Sequence, residues 1–203
     1  MVRQYRARPR GLKLNGHMSS GPEKTRRTFL VEGGGGLILA LASGCGQAGP
    51  RQAREMGEAL KVFNQTEKRA LEALGDALLP GAGAAGIAHY VDRQLASATP
   101  LLMLKYVDFP GPFIDFYKQG LAALDRIART RHARAFADLD AEHQRDLLKV
   151  IAATTPPEWA GPPAPLFYFV TRNDAVDVYY GTQEGFARLG IPYMPHIAPQ
   201  EPW

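Results

Sequence analysis

From residue 64 onward, apolar positions recur every three or four residues, the spacing that lines one face of a helix. Leu71, Leu74 and Leu78 form the first stripe. They follow Asn64-Gln65-Thr66-Glu67, in which Asn64 or Thr66 can cap and Glu67 stands three residues after Asn64, as in a capping box. Pro80-Gly81 ends this helix. Ile87, Val91 and Leu95 mark a second, shorter helix, and Phe113, Tyr117, Leu121, Leu124 and Ile127 line a longer one running toward His132. Asp140 caps a helix over 141–151 whose buried face is Leu147, Leu148 and Ile151. Beyond the proline-rich loop 154–165, Leu166, Phe169, Val170, Val176 and Tyr180 outline a last helix. Strand-like alternation is scarce. The pattern predicts an all-α fold, one compact domain of about five helices over 58–203, with an irregular tail from 181 that carries prolines at 192, 195, 199 and 202.

The first 45 residues have a different pattern. Thr25-Arg26-Arg27-Thr28-Phe29-Leu30 precedes four glycines at 33–36, a short apolar run over 37–42, and Ser43-Gly44-Cys45. A basic segment, a modest apolar segment and small residues at a cleavage point are the parts of an export signal. Arg26 and Arg27 just ahead of Phe29 and Leu30 make it resemble a twin-arginine signal, which is read by machinery that moves folded cargo. Glu32 and the glycines leave an apolar core far short of the roughly 20 residues that a membrane span requires. Cys45 is the only cysteine. Leu41-Ala42-Ser43-Gly44-Cys45 resembles a lipobox, which would make Cys45 a lipidation site. Ala40-Leu41-Ala42 is an A-x-A pattern that ordinary signal peptidase would cut, so both processing routes stay open. Lipidation is the favoured one, because it removes an exposed thiol from an oxidising compartment. Residues 46–57 read as a polar, glycine-containing tether.

Charge is divided in the same way. The chain is +4 overall, but residues 1–44 hold eight Lys and Arg against two Glu, which leaves −2 for the remainder. The basic excess therefore sits in the targeting segment, and nucleic-acid binding loses its main support.

Candidate chemistry in the domain is sparse. A lone cysteine excludes CxxC redox, thiolate-zinc and CxxCH haem sites. His89, His132, His143 and His196 share no i, i+4 pairing, so no metal site is expected. Asp174 and Asp177 fall on neighbouring positions of one helix and read as a solvated charged face with no nucleophile beside it. Residues 81–86 satisfy G-x-G-x-x-G, with Asp108 about 20 residues beyond. That fingerprint needs a buried strand before it, whereas here a helix ended by Pro80 precedes it, so a turn between helices is expected. No catalytic residue and no cofactor are expected in this chain.

Thr66-Glu67 with Leu71-Glu72-Ala73-Leu74, Asp76-Ala77-Leu78-Leu79-Pro80-Gly81 and Tyr90-Val91-Asp92-Arg93-Gln94-Leu95 resemble the gluconate 2-dehydrogenase subunit 3 family. So do Gly120-Leu121 with Leu124-Asp125, Phe136-Ala137-Asp138-Leu139, Gln144 with Leu147-Leu148, and Gly181-Thr182, Gly185 and Leu189-Gly190-Ile191-Pro192-Tyr193, over about 60–195. The resemblance implies a non-catalytic small (gamma) subunit of a membrane-associated sugar or sugar-acid dehydrogenase. In such complexes a large subunit of the glucose-methanol-choline type holds FAD and abstracts hydride, and a cytochrome c subunit with haem passes electrons toward quinone. The expected partners are those two subunits and the twin-arginine translocase, and the expected compartment is the periplasm. The small subunit would escort the folded flavin subunit out of the cytoplasm. Aromatic side chains are favoured interface anchors, so Phe109, Phe113, Phe116, Tyr193 and Trp203 are the expected docking residues. The alternative is a self-sufficient exported lipoprotein acting as a binding module or small enzyme.

Overall fold

The computed structural model describes residues 48–192. Among the described residues the regular elements are helices, α1 (Pro50–Glu55), α2 (Gln65–Leu78), α3 (Ile87–Leu95), α4 (Phe113–His132), α5 (Ala141–Ala153), α6 (Ala164–Tyr180) and α7 (Gln183–Arg188). Short 3₁₀ turns lie at Met103–Tyr106 and Phe136–Asp138, and no strand is present among these residues. The all-α expectation holds, and each of the five expected helices forms. None of the helices among the described residues is long and apolar enough to cross a membrane.

The expected caps are in place. Asn64 Oδ1 accepts the Glu67 N–H at 2.9 Å while the Asn64 N–H donates to Glu67 Oε2 at 2.8 Å, a complete capping box on α2. Asp140 accepts the N–H groups of Glu142 and His143 at 3.1 and 3.0 Å, opening α5. Leu79 takes an extended conformation ahead of Pro80, whose ring disfavours helix at the preceding residue, and α2 stops there.

The core lies where α2, α4 and α6 meet, with α3 and α5 packed around them. Leu71 and Leu74 from α2, Phe116, Leu121, Leu124 and Ile127 from α4, and Phe167, Val170 and Val178 from α6 are all buried. Gly120 sets the approach of α4 to α6, since a Cβ there would overlap the ring of Phe167. The proline-rich loop after α5 is pinned by Trp159, whose buried indole N–H donates to the Pro162 carbonyl at 2.6 Å.

Three segments differ from the sequence reading. Within 46–57, residues Pro50–Glu55 form α1, with Ala53 fully buried and the Pro50 carbonyl against Gly86. A six-residue helix is too short to leave a periodic signal, so polar composition alone suggested a tether. Within the expected irregular tail, Gln183–Arg188 form α7, capped by Thr182 Oγ1, which accepts the Gly185 N–H at 3.0 Å. On α6 the helix is where expected but its inward face is Phe167, Val170, Thr171, Asp174, Ala175 and Val178, which leaves Phe169 and Val176 outward.

Candidate functional site

One turn of α3 grips the N-terminal arm of the domain. Asp92, which is buried, accepts three backbone N–H groups, from Lys61 at 2.8 Å, Val62 at 2.8 Å and Phe63 at 2.9 Å. Arg93 donates to the Ala48 carbonyl and, at 2.6 Å, to Glu58 Oε2. His89, also buried, places Nε2 3.1 Å from the Glu58 carbonyl oxygen and leaves Nδ1 without a partner. Burial lowers its pKa, outweighing the Glu58 carbonyl, which favours the charged ring. The chain is thus held against the folded body from Ala48 onward.

A second buried polar centre joins α4 to α6. The Tyr117 hydroxyl donates to Asp174 Oδ2 at 2.6 Å, and both residues are fully buried. Asp174 Oδ1 has no hydrogen-bond partner; the Met103 backbone N–H favours the charged carboxylate without closing a bond to that oxygen. Burial pushes the Asp174 pKa up to about 7, with the Tyr117 bond pulling the other way and Asp177 reinforcing the rise. Burial likewise raises Tyr117 well above the ordinary phenol range, helped by the Asp174 charge, and it raises Tyr90 and Asp177 nearby. The sequence reading placed Asp174 on a solvated face. Its register with Val170, Thr171 and Val178 is the signal that marks it as inward.

Among the described residues an apolar groove of about 510 Å³ lies between α2, α5 and α6, lined by Ala77, Leu78, Leu148, Ala152, Ala153 and Tyr168 and rimmed by Arg145 and Lys149. On α6, Arg172 lies one turn from Tyr168, and Phe169 and Val176 stand on the outward side at 44% and 41% exposure. A more polar cleft lies between α2 and α4, where Lys118 pairs with Glu67 and Arg129 with Asp125.

The glycine run forms the turn between α2 and α3. Asp76 Oδ1 accepts the N–H groups of Gly81 at 3.1 Å and Gly83 at 2.9 Å, so these amides are already engaged within the chain. Gly86 has φ +91° and meets the Pro50 carbonyl, a position open only to glycine. His132 and His143 bring their rings together at 4.7 Å, with His143 Nδ1 2.8 Å from Asp140. Among the described residues no group of three or more His, Cys, Asp or Glu is placed to hold a metal ion.

The expected docking aromatics are only partly available. Phe116 is 1% exposed and packs on Tyr117, Phe109 and Phe167, so it is a core residue rather than a surface anchor. Its i+3 spacing from Phe113 puts it on the inward side of α4, which a reading by residue type overlooks. Phe109 and Phe113 are half-buried against the core. Arg26, Arg27, Phe29, Leu30, Cys45, Tyr193 and Trp203 lie outside the described residues.

Neither a curated protein nor a solved structure matches the chain. The family model described as gluconate 2-dehydrogenase subunit 3 matches residues 65–197, from the first residue of α2 to beyond α7. That span includes Asp92, whose backbone partners at 61–63 precede it, together with the Tyr117–Asp174 centre and the Asp76 turn. With that match covering most of its length, the chain belongs to the gluconate 2-dehydrogenase subunit 3 family, which is named for a subunit of a dehydrogenase complex.

Proposed function

We propose that this chain is the non-catalytic small subunit of a periplasmic FAD-dependent dehydrogenase of the glucose-methanol-choline type, and that it escorts the folded flavin subunit through the twin-arginine route. One observation carries the reading: a subunit 3 domain over 65–197 follows, in the same chain, Arg26-Arg27 ahead of Phe29-Leu30. Flavin is inserted in the cytoplasm, so a loaded large subunit without its own signal needs a folded carrier that has one. Hydride abstraction from the alcohol carbon then belongs to the flavin subunit, and onward electron transfer to a haem-containing cytochrome c subunit.

The grip of α3 on the arm bears on how such a carrier would present its cargo. Only Gly46 and Gln47 separate Cys45 from Ala48, whose carbonyl Arg93 holds. Three residues of extended chain span about 11 Å at most. A lipid on Cys45 would therefore keep the domain, and whatever it carries, close to the membrane surface.

The test replaces Arg26 and Arg27 together by lysine in cells that also express the flavin subunit. Dehydrogenase activity is expected to remain in the cytoplasmic fraction. Normal arrival of that activity in the periplasm would overturn the escort role.

A further inference from the structure

The sequence of α6 is unusual among these helices in being apolar on both sides. Its inward side, Phe167, Val170, Ala175 and Val178, is buried in the core. Its outward side exposes Phe169 at 44% and Val176 at 41%, beside Arg172 and Asp177. Tyr168, the neighbour of Phe169, lines the groove that continues across Leu78 and Ala77 of α2 to Leu148, Ala152 and Ala153 of α5. Tyr168, Arg172 and Val176 follow one another at i, i+4 spacing, so groove and ridge adjoin along α6 as one surface strip with Arg172 between them.

The charges around that strip are mostly of one sign. Arg145 and Lys149, one turn apart on α5, rim the groove, and Arg172 stands beside Phe169 and Val176 on α6. Asp146 offsets one of the three cations by pairing with Lys149 at 2.8 Å, and Asp177 is exposed next to Val176, so the positive excess is concentrated at Arg145 and Arg172. The strip therefore has a basic margin, although the chain after residue 44 carries a net charge of −2. An apolar floor with positive edges complements an apolar segment flanked by carboxylates, and repels a basic one.

We propose that the α5–α6 groove and the outward ridge of α6 dock an apolar, Asp- or Glu-flanked segment of the flavin subunit. This assignment rests on the accessory-subunit reading above and specifies the surface that reading requires. Phe169 and Val176 supply the apolar contact. Arg145, Lys149 and Arg172 steer the encounter and fix its register.

The experiment measures binding of the full chain to the co-expressed, purified flavin subunit by biolayer interferometry. Two pairs of substitutions are compared, Phe169→Ala with Val176→Ala and Arg145→Glu with Lys149→Glu, and Arg126→Glu on exposed α4 surface serves as control. Each pair is expected to raise Kd by about tenfold or more while the control leaves it unchanged. The effect of the charge-reversed pair is expected to shrink as salt is raised from about 0.05 to about 0.5 M. Melting temperatures should fall by only a few degrees, because these side chains are no more than partly buried, and each variant is compared at a temperature where it is folded. Unaltered Kd in both pairs, while the wild-type chain binds, would overturn the surface and leave the subunit reading standing. Failure of the wild-type chain to bind the flavin subunit would overturn both. Two further results would assign the strip to another occupant and overturn the proposal: a dimer of the isolated chain that either pair dissociates, or tighter binding after deletion of residues 193–203.

Discussion

Asp174 should make the stability of this domain fall as pH rises through neutrality. Its carboxyl is fully buried, receives one hydrogen bond from Tyr117, leaves Oδ1 unpartnered, and has a folded-state pKa pushed up to about 7. In the unfolded chain the same group titrates near 3.9. Between those values the folded state holds a proton that the unfolded state has released. The favourable contribution is therefore complete below about pH 4 and is lost as pH rises to about 7. At about 1.4 kcal/mol per pKa unit, the loss over the whole window is roughly 4 kcal/mol, of which about 2–3 kcal/mol falls between pH 5 and 8. Asp174→Asn cannot titrate, and its amide oxygen can still accept from Tyr117, although its NH₂ meets no partner. The variant is expected to be somewhat less stable at pH 5 and to overtake the wild type as pH rises. Urea denaturation of both proteins at several values from pH 5 to 8 gives the difference curve. His89, Asp177 and Tyr90 are present in both proteins, so their direct contributions largely cancel. A difference that climbs by about 2–3 kcal/mol, or roughly 5–10 °C in melting temperature, is the expected result. Parallel curves would refute the reasoning, because they would mean that Asp174 is ionised in the folded protein at no cost.

Two further substitutions probe how the helices are held together. Gly120→Ala places a methyl group against the ring of Phe167, both inside the core, and should cost about 1–3 kcal/mol or more by thermal or urea unfolding, against the small gain that alanine gives an exposed helix. Asp92→Asn leaves one oxygen to accept what two carboxylate oxygens now accept from Lys61, Val62 and Phe63, and turns an NH₂ toward backbone donors. A loss of about 2–4 kcal/mol is expected, with faster amide hydrogen exchange at 61–63.

The helical framework was legible because its signals are local. The capping box at Asn64, the cap at Asp140 and the stop at Pro80 each act within a few residues, and each sits where the sequence puts it. What escaped depends on length or on three-dimensional register. Helices α1 and α7 have six residues each, fewer than two turns, and are stabilised by Ala53 packing and a Thr182 cap rather than by a periodic stripe. On α6, apolar residues on both sides give no moment that says which side faces in, so the sequence outlines the helix by Phe169, Val170 and Val176 alike and puts Asp174 on a solvated face. Residue type, without burial, cannot separate a core aromatic such as Phe116 from an interface one.

The residues that carry the family resemblance resolve mostly into supports. Asp92 and Arg93 hold the arm, Asp76 ties the turn after α2, and the Asp125 carboxylate accepts the Phe136 N–H at 2.9 Å. Gln144 reaches the Phe136 carbonyl at 3.0 Å and so fastens the loop between α4 and α5 to the first turns of α5. Each satisfies a backbone group that lies outside the α-helices, and such groups are costly to leave unpaired. Of the resembling residues, Ala77, Leu78 and Leu148 line the groove, whereas Phe169, Arg172 and Arg145 are not among them. Recognition of the family from these motifs is thus largely recognition of an architecture, whereas on the proposed docking surface the choice of partner would fall to side chains such as Phe169, Arg172 and Arg145. It follows that substitutions at the supports should lower stability and binding together, while substitutions on the strip should change binding far more than stability.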